Sequence, residues 1–208
     1  MKALLINGSP HKEGCTYRAL YEVKTTLESE GFDTEIIHIG TDIIGGCTAC
    51  GACAKTGKCI IDDIVNVVAE KLDTADAIII GSPVYYANPT GQIISFLDRL
   101  FYANASKLRG KVGASVVTCR RGGATASFDV LNKYFTIASM PVATSCYWNM
   151  VHGANNTPSD VEKDEEGIYT MQVLGKNVAW LAKCIRLGAE NGVPIPPAPK
   201  KVRTNYIR

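Results

Sequence analysis

Apolar positions in this chain follow two rhythms that alternate along its length. Runs over residues 2–7 (KALLIN), 34–39 (TEIIHI), 76–81 (DAIIIG) and 112–118 (VGASVVT) are short and largely apolar on both faces, which predicts buried strands. A fifth strand is predicted near 142–147. Between the strands, apolar residues recur every three or four positions. Ala19, Leu20, Val23 and Leu27 predict a helix over 15–30, with Gly31 as its C-cap. Ile64, Val67, Val68 and Leu72 mark one face of a second helix. Asp62 and Asp63 open it, where the helix dipole favours negative charge. Ile93, Ile94, Leu97 and Leu100 predict the inward face of a helix over 90–102. Further helices are predicted over 124–138 and, after a polar segment at 152–168, over about 169–190. The proline-rich stretch 193–199 cannot be helical and is expected to run extended over the surface.

Strand and helix alternate throughout, and strands apolar on both faces need helices covering each side. The expected fold is therefore α/β and doubly wound: a five-stranded parallel sheet in the order 2-1-3-4-5 between two helical layers. Residues 1–190 are expected to form one domain, and 191–208 an extended C-terminal tail. Ligands of such sheets bind outside the carboxyl ends of the strands, at the switch point, so the loops after strands 1, 3 and 4 are the candidate site.

Composition narrows this picture. Hydrophobic residues are 46% of the chain and the net charge is +2, with no long run of Lys or Arg, so nothing points to a nucleic-acid partner. The short basic stretch Lys200-Lys201-Val202-Arg203 reads as a solvated C-terminus. No apolar run approaches a membrane span, and the stretch at 3–6 is too short for a signal-peptide core, so a cytoplasmic protein is expected. In a reducing compartment, clustered cysteines favour metal or redox chemistry over structural disulfides.

The first loop is Asn7-Gly8-Ser9-Pro10-His11-Lys12-Glu13-Gly14-Cys15-Thr16. Hydroxyls and free amides at the start of a helix make an anion site, although this loop has neither a GxGxxG pattern nor a Walker lysine, and an ordinary capped turn reads the same way. The second loop, 81–91, carries Pro83, Val84, Tyr85 and Tyr86; two tyrosines in a turn bounded by proline and glycine can flank a flat ligand or simply pack at the surface. The third, Thr118-Cys119-Arg120-Arg121-Gly122-Gly123, offers close approach and positive charge, or is a solvated basic turn.

Together, GSPHKEGCT (8–16), GSPVYYANPTGQIISFLDRL (81–100) and TCRRGG (118–123) resemble the NADPH-dependent FMN reductase branch of the flavodoxin-like superfamily. The resemblance implies a flavodoxin-like three-layer sandwich holding FMN. It implies that the phosphate lies on Ser9, His11, Cys15 and Thr16, largely through backbone amides. The isoalloxazine would lie against Pro83, Val84, Tyr85 and Tyr86, with Thr118, Arg120, Arg121 and Gly122 on the other rim. It further implies that NAD(P)H donates hydride to the flavin, that a quinone, nitro, azo or metal-ion acceptor takes the electrons, and that Tyr85 and Tyr86 shape the acceptor pocket. A homodimer or homotetramer is expected, as partner subunits complete the flavin site in such proteins. His152 is read as structural, and Arg120 or Arg121 as the partner of a nicotinamide 2′-phosphate.

Half of the eight cysteines sit in thirteen residues, as Cys47, Cys50, Cys53 and Cys59. This C-x2-C-x2-C-x5-C loop resembles that of the iron–sulfur flavoproteins, in which four thiolates hold a 4Fe–4S cluster that exchanges electrons with FMN. In that reading a ferredoxin is the donor. Three readings stand open: the cluster, a zinc or thiol–disulfide site, and unligated cysteines buried in a loop that meets a neighbouring subunit. Cys119, Cys146 and Cys184 are expected to be small core residues.

Overall fold

The computed structural model describes residues 1–198, 200, 202 and 204. Its strands are β1 (Lys2–Asn7), β2 (Asp33–His38), β3 (Ala77–Pro83), β4 (Val112–Cys119) and β5 (Met150–His152). They form one parallel sheet in the order β2-β1-β3-β4-β5, as the alternation of elements predicts. Its helices are α1 (Cys15–Ser29), α2 (Cys53–Thr56), α3 (Ile64–Lys71), α4 (Gly91–Leu108), α5 (Ala124–Ile137), α6 (Pro158–Val161) and α7 (Glu165–Glu190).

The two-residue period of the strands divides the core between two layers. Leu4 and Ile6 of β1, and Ile78 and Ile80 of β3, pack with α3, α4 and α5. Ala3, Leu5, Ala77 and Ile79 face the other way, against α1 and α7. Each fully buried leucine or isoleucine contributes about 1.5–3 kcal/mol relative to exposure, so a polar residue inside a central strand would be costly on either side. Gly31 closes α1 in the left-handed conformation (φ +87°), and Phe32 N donates to Leu27 O at 3.0 Å. Among the described residues, no helix is long and apolar enough to cross a membrane.

Five local expectations are corrected. The edge strand is not at 142–147. Val142 makes one isolated bridge to Gly113, and pairing resumes only where Met150 meets Val117. Between those points β4 advances 4 residues (117 − 113) and the edge segment 8 (150 − 142), so its extra residues leave the sheet. That detour carries Cys146, Tyr147 and Trp148 to the surface. Second, α7 starts at Glu165 rather than 169, because Asp164 caps it by accepting from Gly167 N at 2.9 Å. Third, Val67 is exposed. The inward positions of α3 are Val65, Asn66, Val68 and Ala69, and Asn66 is buried because its amide is hydrogen-bonded to the backbone of Cys59. Fourth, Cys119 is buried as expected, but Cys146 and Cys184 are exposed, the latter on the outer face of α7. α4 also runs beyond 102, to Leu108.

The tail leaves α7 through Gly192 and has no regular structure over 193–198. Ile195 packs over Gly110, and Arg109 Nη2 donates to Pro197 O at 3.1 Å. The expected extended tail to 208 also covers residues 199, 201, 203 and 205–208, which lie outside the described residues.

Candidate functional site

The carboxyl ends of β1, β3 and β4 lie side by side, and their loops interlock. Gly8 N donates to Gly81 O at 2.8 Å. A Cβ on Gly8 would come within 2.9 Å of that oxygen and 2.8 Å of Ile93 Cβ, so only glycine allows this approach. Ser9 N donates to Asn7 Oδ1, and His11 N to Ser9 Oγ, at 3.0 and 3.1 Å. His38 Nε2 meets Ser9 O at 2.8 Å and must be the donor, since a carbonyl only accepts. Ser9 and Thr16 are buried and His11 is exposed. α1 begins after Gly14 with no side-chain cap and no acidic residue in its first turn. Its first amides thus face the loop without intrahelical partners, where an anion is favoured.

Two hydroxyl contacts bind the loops together. Thr16 Oγ1 and Thr118 Oγ1 are 2.8 Å apart and buried, joining the first loop to the third. Thr90 Oγ1 donates to Gly8 O at 2.9 Å, Thr90 N donates to Ser82 Oγ at 3.1 Å, and the Thr90 hydroxyl caps α4 by accepting from Ile93 N. Asn7, Ser82 and Thr90 were not among the sequence candidates. Asn7 and Ser82 are polar residues ending apolar strands, and Thr90 stands one residue before a helix, which is an N-cap signal.

Tyr85–Asn88 forms a tight turn closed by Tyr85 N to Asn88 O at 2.7 Å and Asn88 N to Tyr85 O at 3.0 Å. Its central residues, Tyr86 and Ala87, are left-handed at φ +50° and +60°, as in a type I′ turn but without glycine or asparagine at either position. The turn is propped by Val84 N donating to Thr118 O at 2.9 Å. Gly123 presses on it closely enough that a Cβ there would sit 2.7 Å from Ala87 Cα. Tyr85 is 46% exposed and Tyr86 fully so, and neither fills a core. Arg120, Arg121 and Gly122 are exposed beside them, while Thr118 is buried and Pro83 and Val84 are half-buried.

Cys15 turns its side chain away from the first loop and donates through Sγ to Ala154 O and Thr157 O, at 3.7 and 3.5 Å. Burial, and then the nearby Asp160 charge, push its thiol above the ordinary cysteine value, which keeps it neutral near pH 7. Beyond it lies an open cleft of about 780 Å³ on the β5 side, edged by Arg120, Tyr147, His152, Asp160 and Lys163. Asp164 anchors the His152 main chain (N to Oδ2, 2.6 Å), but the ring itself is open to the cleft.

The cysteine segment follows β2. Cys47, Cys50, Cys53 and Cys59 all line a single small recess, walled by Ile60, Ile61, Arg99, Tyr102 and Ala103. All four are free thiols. Cys47 and Cys50 are exposed and the other two half-buried, which does not match an expectation of buried cysteines. Left-handed residues Ala49, Gly51 and Gly57 turn the chain around the recess. Among the described residues, no three His, Cys, Asp or Glu side chains converge where one metal ion would sit. Arg99, absent from the sequence candidates, closes the recess from α4. Its guanidinium reaches Cys59 Sγ at 3.2 Å, both carboxylate oxygens of Asp63 at 2.6 and 2.9 Å, and the carbonyls of Gly45 and Ile61.

The family profile described as NADPH-dependent FMN reductase matches residues 1–155. The chain is 34% identical over 194 residues to an iron–sulfur flavoprotein of Methanocaldococcus jannaschii, covering 89% of this chain and 100% of the relative. It is 33% identical over 198 residues to an iron–sulfur flavoprotein of Archaeoglobus fulgidus, covering 89% of this chain and 98% of that one. Among solved structures, RosB with a bound formylriboflavin phosphate superposes with a TM-score of 0.68 at 15% identity, over 100% of this chain and 92% of RosB. A flavodoxin from the domain Archaea gives 0.58 at 18% identity, over 88% and 99% of the two chains. At such identities the structural matches speak for the flavodoxin-like fold alone.

Proposed function

Because this chain belongs to the NADPH-dependent FMN reductase family, whose members are FMN-binding, flavodoxin-like oxidoreductases, we propose that it works as an iron–sulfur flavoprotein, exchanging electrons between FMN and a 4Fe–4S cluster. The observation that carries this reading is that all four thiols of the loop line one recess. Thiolate is the ligand chemistry an iron–sulfur cluster takes, with one cysteine to each iron, so four thiols around one recess would hold it without meeting at a point. The arrangement fits that need better than it fits a single zinc ion, for which four donors must converge. When bound, the two groups supply the one- and two-electron redox chemistry.

The chain's own residues bind and orient. In the proposed site, the amides of His11, Cys15 and Thr16 and the hydroxyls of Ser9 and Thr16 hold the flavin phosphate at the start of α1. Pro83, Val84, Tyr85 and Tyr86 support one side of the ring system, and Thr118, Arg120, Arg121 and Gly122 the other rim. The Thr16–Thr118 pair and Thr90 keep these loops in register. Tyr86, fully exposed on a strained turn, supports a further proposal: it meets either the electron acceptor or a second subunit of a homodimer or homotetramer.

A second reading is direct reduction by NAD(P)H with a quinone, nitro or azo acceptor. It is supported by the exposed pair Arg120 and Arg121 beside the proposed ring site, which suits a nicotinamide phosphate.

Anaerobic purification separates the two. The first reading expects iron and acid-labile sulfide in equal amounts, visible absorbance beyond the flavin bands that bleaches on reduction, and turnover driven by a reduced ferredoxin. In Cys50→Ser the iron should be lost while FMN stays bound. A yellow, iron-free protein that turns over with NADH or NADPH would sink the first reading in favour of the second.

A further inference from the structure

We infer that Arg99 is a positioning residue that fixes the sulfur of Cys59 and, by holding positive charge against it, raises the reduction potential of the centre formed at Cys47, Cys50, Cys53 and Cys59. This rests on the proposal that those thiolates hold an iron–sulfur cluster.

Arg99 is the largest fully buried side chain in the molecule's described part, 2% exposed. A guanidinium there needs all its charge and donors answered, because burying an unpaired ion costs several kcal/mol. The structure answers every N–H. Nε donates to Cys59 Sγ at 3.2 Å, Nη1 to Asp63 Oδ2 at 2.6 Å and Gly45 O at 3.3 Å, and Nη2 to Asp63 Oδ1 at 2.9 Å and Ile61 O at 2.8 Å. The cation therefore lies between sulfur and carboxylate, with its Nε edge toward the thiol and its two Nη toward Asp63.

The carboxylate and the carbonyls answer the four Nη protons, and the fifth, on Nε, is answered by a cysteine of the recess. The turn of Nε toward a cysteine of the recess is what gives the residue a second consequence. Hydrogen bonds and charge at ligand sulfurs are among the terms that set an iron–sulfur potential. Reduction adds one electron to the centre, and a nearby positive charge favours the form that carries it. Asp63 acts with the opposite sign from the far side of the guanidinium. The two residues therefore make opposite predictions when changed singly, which a loss of structure does not. The main chain of Cys59 is also held from behind, its N donating to Asn66 Oδ1 at 3.1 Å and its O accepting from Asn66 Nδ2 at 3.0 Å, so the loop backbone remains placed when Arg99 is altered.

The test compares the wild-type protein with Arg99→Gln, Arg99→Lys and Asp63→Asn, all reconstituted anaerobically with iron and sulfide. Iron, sulfide and flavin are counted per chain, and the midpoint potentials of both redox centres are titrated. Asn is as good a helix cap as Asp, so Asp63→Asn preserves α3. Expected are a shift of the reduction equilibrium toward the oxidised form of about tenfold in Arg99→Gln, which is ~59 mV for a one-electron couple, a smaller shift in Arg99→Lys, and a shift of opposite sign in Asp63→Asn. The flavin potential stays in place in all of them. Unchanged cluster potentials at full iron content, or shifts of the same sign in the Arg99 and Asp63 variants, overturn the inference. If Arg99→Gln does not load iron, Arg99→Lys and Asp63→Asn decide by the same criteria. A wild-type protein that takes up no iron overturns the cluster reading itself, and this inference with it, a result distinct from loaded protein with unmoved potentials.

Discussion

Thr90 satisfies three groups at once: the carbonyl of Gly8, the hydroxyl of Ser82 and the Ile93 amide in the first turn of α4. Its hydroxyl is buried, so removing it leaves Gly8 O without its partner in a place water does not reach. Thr90→Val keeps the shape and loses the hydroxyl. It should destabilise the protein by about 1–2 kcal/mol in urea unfolding, and weaken FMN binding in a fluorescence titration, because the first and second loops are then joined only by Gly8 N and Gly81 O. An unchanged FMN affinity would mean that the loops are placed without it. Gly81→Ala is expected to be worse, since the new Cβ would lie 2.7 Å from Leu20 Cδ1 and 3.0 Å from Thr16 Cγ2. Ser9, Thr16 and Thr118 stand at the expected loop ends; Cys15, expected to contribute its amide, directs its side chain to Ala154 and Thr157, residues far along the chain that no local pattern names.

α4 is the element that connects the two candidate centres. Thr90 caps it beside the first two loops, Gln92 Nε2 holds the carbonyl of Gly40, and Arg99 reaches the cysteine recess. On its other side Asp98 Oδ1 accepts from the Tyr134 hydroxyl of α5 at 2.5 Å. Burial, reinforced by the Asp98 hydrogen bond and charge, pushes that phenol well above the usual tyrosine range. The folded state therefore keeps the proton where the unfolded chain releases it. This stabilisation is complete below pH of about 10, the unfolded tyrosine value, and is lost as pH rises through the folded value. Wild-type stability should fall progressively from about pH 10 upward, whereas Tyr134→Phe should start about 1 kcal/mol lower and show a flatter profile. Equal slopes in chemical denaturation across that range would refute the assignment. The misplaced edge strand is instructive at this level. Residues 142–147 have a strand-like composition, but the edge has only one neighbour, and the paired segment is decided by which residues reach β4 after the detour.

For the whole molecule, the parallel order brings the three loops to one end of the sheet and leaves the opposite end to the tail. Ile195, 42% exposed, covers Gly110, and Arg109 holds Pro197. Truncation after Gly192 should cost about 1 kcal/mol, or a melting temperature lower by roughly 2–4 °C in a chain of this size. FMN affinity should not change, because the tail and the ligand loops lie at opposite ends of the strands. A loss of FMN binding in the truncated protein would contradict that separation.

The alternation of fully apolar runs with helical periodicity determined the layers, the strand order and which loops face the candidate ligand, because each depends on local pattern and on the handedness common to all such crossovers. The cysteine spacing likewise determined that four thiols share one short loop. Only the tertiary structure decided that they ring a single recess, that Arg99, forty positions from Cys59, supplies the charge beside it, and that Thr90 ties two loops eighty-two positions apart. Periodicity reports which face of an element is buried. It carries no information about which polar group on another element that face will meet, and at this site those meetings set the charge and the geometry.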